Sequence, residues 1–333
     1  MLAESLDAPE AVARLLSARD GGYAALGADL RENPPQALLT IARGSSDHAA
    51  HYVAYLIMAR LGRLVTSLPM SLVTLYRSRL RCDGLVSIAV SQSGRSHDLV
   101  VPTEFFRNGG ARTVAFVNDV RSPLADAAQW VFDLRAGPET SVAATKSCIA
   151  QLAAGARLVA SWQNDDGLRA ALDDLPARLR EAAQADWRRG VETLAHVDRL
   201  FVISRGLGLP IALEAALKLK EVCGIQAEAF SSAEVRHGPV ALIEPDYPLL
   251  IIAPRGPAQP GLLALADDMR KRGARVLLAA ADGGDLPLVT CADADLDPIA
   301  ALQSFYPMVE AMARARGLDP DAPRHLTKVT LTH

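Results

Sequence analysis

Short apolar runs alternate along the chain with longer stretches in which apolar residues recur every three or four positions. The runs ALLTIA (37–42), GLVSIAV (84–90), RTVAFV (112–117) and WVFDL (130–134) predict strands. Helical spacing covers 46–61, 96–108 and 142–164. The alternation returns in the second half, with strands at 199–204, 248–254 and 274–280 and helices at 208–223 and 259–272. Apolar strands separated by amphipathic helices make parallel sheets covered on both faces, so an α/β fold is expected.

The two halves read as copies of one unit. IARGSS (41–46) aligns with ISRGLG (203–208), and GARTVAFVND (110–119) with GARVLLAAAD (273–282), at nearly the same offset. The expected organisation is a first α/β domain over 1–165 with an N-terminal helical segment, a charged helical connector over 166–190, and a second α/β domain over 191–333. Each sheet should hold about five strands in a three-layer, flavodoxin-like arrangement.

Composition narrows the classes. The chain has 333 residues, half of them hydrophobic, and a net charge of −3, which does not suit a general nucleic-acid binder. Cys82, Cys148, Cys223 and Cys291 are scattered and form no CxxC pair, as expected of reduced core thiols. No signal-peptide pattern opens the chain and no apolar run approaches the roughly 20 residues of a membrane span. A cytoplasmic location without membrane attachment is expected.

Chemistry gathers at strand ends. SQSGRS (91–96) follows an apolar strand and precedes a helix. Hydroxyls, a glycine and the free N–H groups of a first helical turn can surround a phosphate without any lysine. The plainer reading is a serine-rich turn with Ser96 as helix cap. Walker and GxGxxG spacings are absent. RGSSDHAA (43–50), with Ser45 and Ser46, is a second such loop, and PETSVAATKS (138–147) a third. In EAALKLKEV (214–222), Glu214, Lys218 and Glu221 share one helical face while Lys220 points elsewhere. His237 occupies a Gly-Pro turn in SSAEVRHGPVALI (231–243), and Lys328 lies in the tail PDAPRHLTKVTLTH. Solvated helix charges, an exposed turn and a tail charge are the plainer readings of these residues. His48 and His51 at i and i+3 lack a supporting cysteine or carboxylate cluster, so no metal site is expected.

The serine loop, SVAATK, ALEAALKLKEV, EVRHGP and PRHLTKVT, in this order, resemble the sugar isomerase (SIS) family. Within it they are most similar to the isomerase half of glucosamine-6-phosphate synthase. The resemblance covers nearly the whole chain as two tandem SIS domains. It implies that Ser91, Gln92, Ser93 and Ser96 bind the phosphate of a sugar phosphate. Ser45 and Ser46, and the backbone near Val142, match the loops that hold the sugar. Ala144 stands where the synthase has Ser, which removes one sugar contact.

The resemblance also implies roles. Glu221 matches the base that moves a proton between C2 and C1, and Lys218 places positive charge against the enolate or enolamine. Glu214 orients the site, His237 opens the sugar ring, and Lys328 reaches the carbonyl or amino carbon. No cofactor and no metal is implied. Family members form homodimers in which the residue matching His237 can serve the neighbouring subunit. Met1 is followed by Leu2 and not by a nucleophilic cysteine, so a glutaminase-fed synthesis is not expected from this sequence. Arg95 also stands where the synthase commonly has an acidic residue. The expected reaction is glucosamine 6-phosphate plus water giving fructose 6-phosphate plus ammonia. The alternatives are an ammonia-dependent synthase module, a galactosamine-6-phosphate deaminase/isomerase, a sugar–amine deglycase, and a non-catalytic sugar-phosphate sensor.

Overall fold

The computed structural model describes residues 1–18 and 21–328. Three helices open the chain, α1 (Leu2–Leu6), α2 (Ala8–Ser17) and α3 (Gly21–Glu32). Next come β1 (Ala37–Ile41), α4 (Ser45–Leu61), β2 (Val65–Ser67), α5 (Ser71–Thr74) and β3 (Leu85–Ser91). The first half continues with α6 (His97–Asn108), β4 (Arg112–Val117), α7 (Pro123–Ala127), β5 (Trp130–Asp133) and α8 (Lys146–Gln163). Helices α9 (Asp166–Ala183) and α10 (Arg188–Leu194) lead to β6 (Arg199–Ser204), α11 (Leu209–Cys223) and β7 (Gln226–Ser231). The chain then forms β8 (Pro248–Ile252), α12 (Gln259–Lys271), β9 (Arg275–Ala280), β10 (Leu286–Pro287) and α13 (Asp297–Ala315).

Two all-parallel five-stranded sheets result, ordered β2-β1-β3-β4-β5 and β10-β9-β8-β6-β7. Read from the other edge, the second order repeats the first, strand for strand. The duplication seen in the sequence is therefore a duplication of topology. Each sheet is flavodoxin-like, with its switch point between the first strand of the unit and the third, β1/β3 and β6/β8. The core strands β3, β4, β8 and β9 are almost wholly buried because helices cover both faces.

The edges differ from the expectation. The sequence pattern names four strands of the first sheet and three of the second, and misses β2, β7 and β10. All three are edge strands: VTS is short and half exposed, QAEAFS alternates polar and small residues, and LP is two residues long. Without burial on both faces such strands carry no apolar run. The pattern misses α13 as well. This helix is buried on nearly every side, so its sequence lacks the polar stripe that marks an amphipathic helix. The helix expected from 142 begins at Lys146, because residues 140–145 form an irregular segment.

The chain forms two compact units that are not contiguous in sequence. One contains Met1–Pro9, Thr140–Thr145 and Asp174–Leu326, and thus the sheet β6–β10. The other contains Glu10–Glu139, Lys146–Asp173 and the tail from Thr327, and thus the sheet β1–β5. All four cysteines are free and buried. Among the described residues, no helix is long and apolar enough to cross a membrane.

Candidate active site

In the β1–β5 unit the two serine loops leave the carboxyl ends of β1 and β3, the strands that flank the switch point. Gly44 (φ 56°) turns the chain from β1 into α4, so Ser45 and Ser46 are that helix's first residues. Ser46 Oγ accepts from Gln151 Nε2 at 3.0 Å, and the Ser45 carbonyl accepts from the Cys148 thiol at 3.6 Å, which fixes this turn against α8.

The second loop is tighter. Ser91 is buried, and its Oγ accepts from the Gly94 N–H at 3.0 Å. Gly94 has φ 63°, and a Cβ there would overlap the Ser122 hydroxyl, so only glycine fits both the turn and the approach. Ser93 Oγ accepts weakly from the Arg95 N–H at 3.4 Å. Gln92 and Ser96 are half-buried. Ser96 is at the N-cap of α6, yet its hydroxyl makes no capping bond. The plainer reading thus holds for the position of Ser96 but without a side-chain capping bond. In the first turn, the Leu99 and Val100 N–H groups donate to the Ser96 carbonyl at 3.0 and 3.1 Å. Arg95 is engaged with Asp119 at 3.0 Å; the hydrogen bond from the Arg121 N–H, and then this one, hold the Asp119 carboxyl below its ordinary range.

The β6–β10 unit treats the same topological position differently. Arg255 comes after β8 as the serine loop comes after β3. Its guanidinium is clamped by Asp297 at 2.7 and 2.9 Å and by the Cys291 carbonyl. The repeat has kept the switch point and carries an internal ion pair beyond its strand end.

That unit contributes α11 instead. Pro210 starts the helix and Gly224, in the left-handed region at φ 63°, ends it. Between them Glu214, Lys218 and Glu221 fall on one face as their spacing predicts. Lys218 Nζ is 3.6 Å from Glu214 Oε1 and donates to Glu221 Oε2. Tyr306 of α13 donates to Glu214 Oε1 at 3.2 Å. Glu214 and Lys218 are sealed from solvent, whereas the Glu221 side chain keeps 21% of its surface exposed. A solvated surface pair is thus excluded. The exposed edge of Glu221 borders a cavity of about 360 Å³, closed on its other side by Leu318, Asp319, Ala322, Pro323, Arg324 and His325. Lys220, expected to point away from this face, lines the same cavity.

His237 ends a short 3-10 turn before Gly238, is exposed, and makes no hydrogen bond or ion pair among the described residues. Lys328 pairs with Glu139 at 3.6 Å in the β1–β5 unit. Val142 and Ala144 belong to the β6–β10 unit. The Val142 N–H donates to the Asp321 carbonyl at 3.5 Å, and Ser141 Oγ donates to Asp321 Oδ1 at 2.9 Å, so this stretch is tied to the chain beyond α13. Sequence reasoning does not single out three further residues. Tyr306 lies in the unrecognised α13, Glu139 stands two residues before the SVAATK motif, and His325 lies three residues before the tail lysine. The lone carboxylate of PETSVAATK is the one available signal.

Parallel strands, a flavodoxin-like switch point in each of two repeats, and hydroxyl loops in only one of them define a doubled parallel α/β protein. The chain belongs to the SIS domain family, whose model matches residues 34–161 and 193–313. It is 34% identical over 319 residues to glutamine–fructose-6-phosphate aminotransferase of Aeropyrum pernix, a match covering 87% of this chain and 50% of that protein. The chain spans about half the length of the curated relatives it matches. A solved structure from Silicibacter pomeroyi DSS-3, provisionally named a phosphosugar isomerase, has 42% identity and a TM-score of 0.91, covering 96% of this chain and 99% of that one. Glucosamine-6-phosphate deaminase of Thermotoga maritima shares the fold at 19% identity and a TM-score of 0.75, covering 97% of this chain and all of that one.

Proposed function

We propose that the chain is an amino-sugar phosphate isomerase and deaminase that converts glucosamine 6-phosphate and water into fructose 6-phosphate and ammonia. The observation that carries this reading is the Glu214–Lys218–Glu221 cluster, with Lys218 fully buried and Glu221 open to a cavity. Burying charged groups costs several kcal/mol per ion, and well-packed hydrophobic side chains in place of the whole ion cluster stabilise a fold equally well. A buried lysine between two carboxylates therefore fits a chemical role better than a structural one.

Each group has a role in that reaction. The serine loop holds the phosphate, and His237 moves the proton that opens the ring. Glu221 removes the C2 proton of the open-chain aldehyde and returns it to C1, turning the aldehyde and amine into a C2 imine. Lys218 offsets the negative charge that develops on oxygen in between. Water then adds at C2 and ammonia leaves, which gives the ketose. Lys328 acts on the same carbonyl or imine carbon. The chain works as a homodimer in which the exposed His237 serves the neighbouring subunit. A sensor would need the phosphate loop but no buried lysine.

Ammonium release assayed on glucosamine 6-phosphate, galactosamine 6-phosphate and their N-acetyl forms, with a chelator present, tests the proposal. Ammonium and fructose 6-phosphate from the first sugar are expected. Release from none of the four would overturn it.

A further inference from the structure

We propose that Glu139 is a positioning residue for Lys328, a buried carboxylate anchored on α8 that fixes the tail amine. The inference rests on the proposed reaction for the use made of Lys328, and on geometry alone for the anchoring.

Glu139 lies just before α8, and its side chain has no exposed surface. Oε1 accepts from the Ser147 backbone N–H at 3.1 Å, and Oε2 accepts from the Ser147 hydroxyl at 2.5 Å. Ser147 is the second residue of α8, so its N–H is one of the donors that a helix start leaves without an internal partner. The helix end favours an anion there. α8 runs for 18 residues and is buried along almost its whole length, which makes it a rigid mount. The carboxylate is fixed through both oxygens, and Lys328 Nζ stands 3.6 Å from Oε2 with a quarter of its side chain exposed. Lys328 lies in a segment without regular secondary structure, and nothing in its own local backbone defines where a long, flexible side chain ends. Glu139 supplies that definition. The same pair ties residues 327 and 328 to the β1–β5 unit.

The plainer reading is that Glu139 only caps α8 while Lys328 neutralises it. Glu139→Gln separates the two, because the amide oxygen can still accept from the Ser147 N–H while the charge is gone. The parent chain, Glu139→Gln, Lys328→Ala and the double variant are compared. In steady-state kinetics on glucosamine 6-phosphate, Glu139→Gln should lower kcat about tenfold or more and leave KM within about threefold. That loss should vanish in the Lys328→Ala background, because two residues acting through one contact are not additive. Trypsin cleavage after the exposed Arg324, measured without sugar, should be about fivefold faster in Glu139→Gln than in the parent, as expected when a tail is released. A Glu139→Gln loss that multiplies with that of Lys328→Ala, or a kcat within twofold of the parent, overturns the positioning role. Equal cleavage rates overturn the anchoring. If the parent releases no ammonium at all, the proposed function fails, and the cleavage rates alone then decide the anchoring.

Discussion

Lys218 is the side chain on which the residue-scale chemistry turns. It touches two carboxylates, one sealed in the core with Tyr306 and one at the edge of a cavity. Glu214 is thereby a fixed counter-charge, while Glu221 keeps contact with whatever enters. Lys218→Met leaves the buried Glu214 facing an apolar group, and breaking a buried pair in this way costs about 3–5 kcal/mol. Urea unfolding should show a loss of that size, with ammonium release from glucosamine 6-phosphate abolished. A variant as stable as the parent would mean that the pair carries little electrostatic strain and that its burial needs another explanation.

At the scale of elements, function depends on the loop at the end of each strand. The loop after β3 should lose affinity for the phosphorylated sugar when Ser93 becomes Ala, with KM raised and kcat little changed. Inorganic phosphate should compete in the parent. Competition that survives unchanged in Ser93→Ala would move the phosphate elsewhere. α4 carries a different signal. Burial pushes the His51 pKa below its ordinary value, partly offset by Asp47 and reinforced by His48. Below about pH 6.5 the unfolded chain takes up a proton that folded His51 refuses, so this stability is full above that pH and is lost as pH falls through it. Asp47, whose pKa burial raises, works in the opposite sense, in a window that opens at 3.8. Melting temperatures should therefore fall from pH 7.5 to pH 5.5 by less in His51→Gln than in the parent. Equal falls would assign the acid sensitivity to other groups.

These elements also show how much can be read from the chain. RTVAFV and RLFVIS form β4 and β6 residue for residue, because strands covered on both faces need an unbroken apolar run. The i, i+4, i+7 spacing of Glu214, Lys218 and Glu221 gives their common face, since a helix repeats every 3.6 residues. Edge strands and the all-round buried α13 leave no periodic trace, and with α13 goes Tyr306. Glu139 escapes because its partners are a helix start and a residue 189 positions away, a contact that no local pattern encodes.

On the scale of the whole molecule, one fold unit occurs twice and has diverged by site. The copy with β1–β5 keeps hydroxyl loops at its switch point, and the copy with β6–β10 has the Arg255–Asp297 ion pair after the corresponding strand and carries the charged helix. If His237 serves a neighbouring subunit, mixing inactive Glu221→Gln and His237→Ala proteins should restore activity. Random exchange makes half the dimers mixed, each with one complete site, so about a quarter of parental activity is expected for a twofold-symmetric dimer. No recovery after verified exchange would place His237 in its own subunit's site or outside the reaction.

The most direct measurement sets parent against Glu221→Gln, with ammonium and fructose 6-phosphate quantified from one glucosamine 6-phosphate reaction. Equal amounts of the two products are expected from the parent. Turnover should be lower by about a hundredfold or more in the variant, the scale of losing a general base, with KM little changed. Unequal products, or a variant within a few-fold of the parent, would contradict the assignment of Glu221 as the base of an amino-sugar phosphate deaminase.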